Sequence, residues 1–165
     1  MDPGGTESLS LRVSLAAQEL TLLRGEWPWR RFAVSTSKHG AGEVGGSHQT
    51  PRGRHVIRAK IGAGAPQGTV FRGRRPTGEI YSAALASAFP ERDWILTRIL
   101  WLSGTEVGRN RLGNVDTMRR YIYIHGTPDT DALGVPGSIG CIRMASRDIV
   151  ELFDLVPAGT IVEIS

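Results

Sequence analysis

Cysteine is nearly missing from this chain: Cys141 is the only one in 165 residues. A single thiol forms no disulfide within the chain, so cysteine usage leaves no mark of a redox compartment. Long apolar runs are missing too. Every weakly polar stretch is interrupted by Arg or Ser well short of the roughly 20 apolar residues needed to span a bilayer. The first residues, Met1 to Leu15, start acidic and glycine-rich and lack the basic region and apolar core of a secretory signal. That leaves a cytoplasmic protein, a trimmed chain or export by another route. The 4 histidines, at positions 39, 48, 55 and 125, form no H-x₃-H or H-E-x-x-H pair, and Cys141 has no cysteine partner. No metal and no cofactor is therefore expected. Basic residues are scattered apart from Arg72, Arg74 and Arg75, and no nucleic-acid-binding motif accompanies them.

Turn formers, by contrast, are abundant. The 21 glycines and 9 prolines suit a β-rich architecture, and the net charge of +4 favours anionic partners such as cell-wall polymers or acidic peptides. Residues 1–8 read as a disordered tail and residues 9–165 as one domain. Leu9, Leu11, Val13 and Leu15 alternate with polar residues, the period of a strand with one buried face. Glu19 to Leu23 and Arg31 to Thr36, separated by Arg24-Gly25-Glu26, continue an antiparallel meander. The glycine-rich stretch 37–54 is a loop and His55 to Ile61 a strand. Residues 62–93 read as a lid-like excursion with a short helix over Ser82 to Phe89. Trp94 to Leu102 and Tyr121 to His125 are strands, with loop over Gly104 to Asp116 between them. Ile149, Leu152, Phe153 and Val156 fall on one face of a late helix that Ser146 can cap. Thr160 to Ile164 closes the chain as a strand. The expected class is mainly β, with one C-terminal helix and a short additional helix or lid.

The stretch Tyr121–Met144 carries the chemistry. His125 ends an aromatic and β-branched run, and Cys141 sits in the small-residue turn Ser138-Ile139-Gly140-Cys141. A free thiol near pKa 8.5 is only about 3% thiolate at neutral pH, so a nucleophile needs a base within reach. Gly140 lets the chain bend, amides of the turn can face an oxyanion, and Arg143 can hold a carboxylate. The plain alternative is a buried Cys packed as a small hydrophobe and a His that is only structural. Trp27 and Trp29 around Pro28 read as a packed or partly exposed aromatic corner, with a glycan-stacking platform as the alternative. Arg72, Arg74 and Arg75 read as a solvated face whose place in the lid would also suit the carboxylates of an acidic peptide. Asp129 and Asp131 read as turn formers that could instead help charge the imidazole.

The order His125-Gly126-Thr127, a Pro/Gly loop, Ser138-x-Gly140-Cys141-Ile142-Arg143-Met144, a helix and a final Gly-Thr-x-Val-x-Ile strand resembles the L,D-transpeptidase (YkuD-type) catalytic domain. Upstream, VSTSKHG, GSHQTPRG, ILTRILWL and the segment holding Asn114 and Asp116 resemble it in the same order, so the likeness covers residues 9 to 165. It implies a β-sandwich-like fold. It implies Cys141 as nucleophile, His125 as general base and the Gly126 carbonyl as the group orienting the imidazole. Ser138, Gly140 and the Cys141 N–H would shape the oxyanion site, and Arg143 would bind the donor peptide. Ile139 stands where many members have His. The implied reaction is acylation of the thiol by a peptidoglycan tetrapeptide stem with release of terminal D-Ala, then transfer to an amine as a 3→3 cross-link. Water as acceptor would give an L,D-carboxypeptidase, and a lipoprotein lysine an anchoring enzyme. A silent peptidoglycan-binding module is the non-enzymatic alternative. The likeness also implies a periplasmic or envelope location.

Overall fold

The computed structural model describes residues 8–165, so the tail expected over residues 1–8 lies, save for Ser8, outside the described residues. Strands β1 (Leu9–Ser14), β2 (Glu19–Arg24) and β3 (Trp27–Ser35) form the expected meander, followed by β4 (Gly53–Ile61). A hairpin of β5 (Thr69–Arg72) and β6 (Arg75–Ile80) leads to helix α1 (Ala83–Ala88), then to β7 (Ile95–Gly104). The chain ends with β8 (Tyr123–Thr127), β9 (Ile142–Ala145), helix α2 (Ser146–Leu155) and β10 (Ile161–Ile164).

One sheet runs β4-β10-β1-β2-β3-β9-β8-β7 and closes on itself because β7 also pairs with β4. Closure leaves few open edges, and the β5–β6 hairpin extends the sheet off β7. The alternation in β1 fixes its register: Leu11 lies opposite Leu22 and Val13 opposite Leu20, all four buried. Their inward side meets Ile57, Leu100, Leu102, Ile124, Ile142 and Met144 in a single core. Helix α2 packs against it, burying Ile149, Leu152 and Phe153, the stripe read from the sequence.

Ser146 does not cap α2. The N-cap is Ala145, without a side-chain cap bond. The Ser146 hydroxyl instead accepts from Thr97 Oγ1 at 2.7 Å and donates to the Thr127 carbonyl at 3.4 Å, tying the helix start to β7 and β8. Thr97 reaches it from a left-handed backbone, φ +77°, at an irregularity in the β7 pairing between Leu96 and Ile99. At the other end Lys60 Nζ donates to the Phe153 carbonyl at 2.6 Å, placing a cation on the last turn.

His55 is a buried structural imidazole. Its Nδ1 lies 3.0 Å from the Gly53 carbonyl and its Nε2 2.9 Å from Thr117 Oγ1. A carbonyl only accepts, so Nδ1 carries the proton and Nε2 accepts from the hydroxyl. Burial pulls its pKa from 6.5 down to about 4. Between those values the unfolded chain binds a proton that the native state refuses, so stability falls as the pH drops. The loss should total about 3 kcal/mol by pH 4 and then level off. Urea unfolding at neutral and acidic pH checks this. The slope should flatten in His55→Gln, and an unaltered slope there would rule His55 out as its source.

Candidate active site

Strands β8 and β9 run parallel, with Ile124 beside Ile142, His125 beside Arg143 and Gly126 beside Met144. Since Ile124, Ile142 and Met144 point into the core, alternation sends His125, Arg143 and Cys141 to the opposite face. There Cys141 packs against a second apolar cluster of Phe71, Ile99 and Tyr123. The topology thus brings the two predicted reactive side chains to one face of two adjacent strands.

The turn before Cys141 is built to its glycine. Gly140 has φ +135°, and a Cβ there would sit 3.2 Å from Ile122 Cδ1. Ser138, fully buried, donates from its hydroxyl to the Cys141 carbonyl at 2.6 Å and accepts from the Gly140 N–H at 3.2 Å. Thr50 Oγ1 donates to the Gly140 carbonyl at 3.0 Å, bracing the turn from behind. Ser138 therefore shapes the turn and occupies the Gly140 N–H. Of the groups expected around an oxyanion, only the Cys141 N–H is uncommitted to Ser138.

His125 is wholly buried, not merely at a strand end. Nδ1 lies 2.7 Å from the Gly126 carbonyl, which can only accept, so the proton sits on Nδ1 and Nε2 presents a lone pair. Nε2 is buried and has no hydrogen-bond partner among the described residues. Burial lowers the imidazole's pKa, opposed by the Asp93 carboxylate and the Gly126 carbonyl.

The Cys141 Sγ is half-buried, accepting from the Tyr123 N–H at 3.3 Å and donating to the Tyr121 carbonyl at 3.4 Å. Burial pushes its pKa up to about 12, against the pull of the Tyr123 N–H. The imidazole and the thiol are therefore both neutral near pH 7. The resting thiol bonds the backbone of β8 rather than His125.

Arg143 is already paired. Its Nη2 lies 2.8 Å from Asp93 Oδ1, and its Nη1 donates to the Gly137 carbonyl at 3.2 Å and lies 3.7 Å from Asp131 Oδ2. It thereby fastens the segment after α1 and the Pro/Gly loop to β9. Asp131 is a turn former, its N–H donating to the Pro128 carbonyl at 2.9 Å, and its side chain also accepts a close hydrogen bond from Thr127 Oγ1. Asp93, Trp94, Lys38, Ile139 and Arg143 line a cleft of about 270 Å³ on this side. Ile139 is 47% exposed and gives it an apolar wall.

Two contributors, Asp93 and Arg120, carry no signal in the sequence. Asp93 reaches the site from 48 residues before Cys141 (141 minus 93), brought there by the lid. Arg120 is half-buried, donating to the carbonyls of Gln49 at 2.5 Å and Gly42 at 3.2 Å, and its charge lowers the Cys141 pKa. Arg74 departs from the solvated face expected of the arginine triplet: its guanidinium lies on the rings of Trp101 and Tyr121. Arg72 and Arg75 are exposed.

The family model for the L,D-transpeptidase catalytic domain, YkuD, matches residues 9–164. The chain belongs to that family. A YkuD L,D-transpeptidase of Bacillus licheniformis is 45% identical over 47 residues, 28% of each protein. Among solved structures, an L,D-transpeptidase from Mycobacterium smegmatis superposes with a TM-score of 0.56 at 17% identity, covering 96% of this chain and 59% of that one. L,D-transpeptidase 3 from Mycobacterium tuberculosis, in complex with a faropenem-derived adduct, gives 0.58 at 14% identity, covering 96% and 60%. At such identities the structures show the shared fold. The chain spans under two thirds of the length of these structural relatives, and its match to the Bacillus protein is confined to that 28%.

Proposed function

We propose that the domain is a cysteine L,D-transpeptidase acting on peptidoglycan stem peptides in the cell envelope. The observation that carries the reading is the buried, unpartnered Nε2 of His125 on the face that bears Cys141. An orphaned buried acceptor costs stability of the order of 1–3 kcal/mol, which a merely structural histidine has no reason to bear. A silent binding module has no use for it.

The chemistry follows from the neutral pair. Sγ turns from the Tyr121 carbonyl, gives its proton to Nε2 and forms a bond to the carbonyl carbon of the third stem residue. The Gly126 carbonyl stabilises the imidazolium through Nδ1–H, and the Cys141 N–H faces the developing oxyanion. The carbon–nitrogen bond then breaks, and Nε2 returns the proton to the amine of the departing D-Ala. An acceptor amine attacks the thioester, gives a proton to Nε2, and the sulfur leaves and is reprotonated. Ile139 supplies no second titrating group, so His125 alone carries the proton.

Intact mass after incubation with faropenem tests this, a choice guided by the faropenem-derived adduct on the Mycobacterium tuberculosis relative. One covalent adduct per chain is expected on the wild type and none on Cys141→Ala. No adduct on the wild type, or an adduct that survives the substitution, overturns the assignment.

A further inference from the structure

On the lid, the hairpin between β5 and β6 turns through Gly73 and Arg74, with Arg72 paired to Arg75. Both turn residues have positive φ, +55° and +64°, a two-residue turn that favours Asn and Gly. An arginine there carries a backbone cost of roughly 1 kcal/mol. The turn folds its side chain back over the sheet. The guanidinium carbon lies 4.7 Å from the Trp101 ring centroid and 4.9 Å from that of Tyr121, and Nη1 donates to the Tyr123 hydroxyl at 3.1 Å. The bed is itself fixed, since Trp101 Nε1 donates to the Met118 carbonyl at 3.1 Å and meets Tyr123 edge-on.

The same two tyrosines hold the thiol. Sγ bonds the Tyr121 carbonyl and the Tyr123 N–H, so the guanidinium stands on their side chains while the sulfur rests on their backbone. Besides Arg120, two cations thus stand near the thiol and His125. On one side Arg143 is matched by Asp93 and Asp131. On the other, Arg74 has no carboxylate within ion-pair distance among the described residues and uses one of five N–H donors on the Tyr123 hydroxyl. A guanidinium laid on aromatic faces is partly desolvated and presents its remaining fork to a planar anion.

We propose that Arg74 binds a carboxylate of the acyl-donor peptide and so selects acidic stems; this rests on the transpeptidase reading above. The shared chemistry is a peptide carboxylate, either the one that ends the departing residue or the one on the side chain of the third residue. Arg143 then serves mainly to hold the lid to β9, and donor recognition moves to the hairpin tip.

The test compares three synthetic tetrapeptides: all carboxylates free, the terminal one amidated, and the third-residue side-chain one amidated. With wild type, amidating the carboxylate that Arg74 holds should raise KM about tenfold, the value of one charge-assisted pair. The arm that responds identifies the source. In Arg74→Gln that ratio should fall below about twofold, and Arg74→Lys should restore part of it. Thermal melting of each variant checks that the hairpin is kept. If Arg74→Gln preserves the wild-type ratios on both amides, or if neither amidation affects the wild type, Arg74 only pins the hairpin and the proposal falls. If wild type turns over none of the three peptides, the transpeptidase reading falls and takes this one with it.

Discussion

His125→Ala is expected to lower kcat/KM for a tetrapeptide donor by about a thousandfold, the middle of the range for a positioned general base. The thiol makes this loss large. With the Cys141 pKa pushed up to about 12, almost no thiolate exists near neutrality to attack unaided. The pH profile should carry the same signature. In the proposed mechanism neutral imidazole is the working form, and burial lowers its pKa, so activity should persist below pH 6.5 before falling on the acid side. On the alkaline side the rate should stay flat across the range where an ordinary thiol ionises, near 8.5. A rise there would show that a free thiolate is the attacking species. Because His125 is fully buried, the truncation also leaves a cavity, and about 2 kcal/mol of stability should go with it. Rates are therefore to be compared at a temperature where melting curves show both proteins folded. A variant within tenfold of wild type and with an unchanged profile would make His125 structural.

Where the sequence was legible, burial on one face made it so. Leu9, Leu11 and Val13 alternate because β1 backs onto the core, and Ile149, Leu152 and Phe153 recur at helical spacing because α2 covers it. The β5–β6 hairpin was not legible. Its second strand, Arg75–Ile80, keeps no residue buried, so no alternation marks it, and Pro76 and Gly78 argued against a strand. It exists because β5 pairs with β7 and offers a backbone edge. β3 likewise begins at Trp27, earlier than its apolar half suggested, since its first residues face solvent. Ser146 had the right residue type for a cap, but Thr97 and the Thr127 carbonyl claim its hydroxyl.

The site divides in the same way. Cys141 and His125 stood out because glycines and a strand end flank them, and the parallel pairing of β8 with β9 puts them on one face. What surrounds them comes from far along the chain. Asp93 and Arg74 arrive on the lid and Arg120 through contacts with the glycine-rich loop, and no local pattern announces such meetings. Arg143 shows the limit of reading a residue type: an arginine near a thiol suggested a free carboxylate binder, and two aspartates had already met it.

Gly126→Ala should damage both the fold and the site. A Cβ at this position would lie 2.6 Å from the Leu96 carbonyl oxygen, 3.0 Å from Ser146 Oγ and 3.2 Å from Ile149 Cγ2. The first of these is backbone, and Leu96 pairs with Gly126 across β7 and β8, so it has no rotamer by which to yield. Relief requires β8 to move away from β7 and from the start of α2, at a cost of about 3 kcal/mol and a Tm lower by about 10 °C. The same movement displaces the Gly126 carbonyl that fixes the proton on Nδ1 of His125. Once that hold loosens, the imidazole can turn or take the other tautomer, and Nε2 no longer offers its lone pair to the thiol. Turnover by the folded fraction should therefore fall about a hundredfold, beyond what the lost stability explains. Gly159→Ala separates contact from torsion. Its φ of +89° strains any side chain, but a Cβ there meets nothing within 4 Å, and it lies at the approach to β10. That variant should lose about 1 kcal/mol and keep its activity. If Gly126→Ala melts and turns over as Gly159→Ala does, the glycine carbonyl has no part in orienting His125.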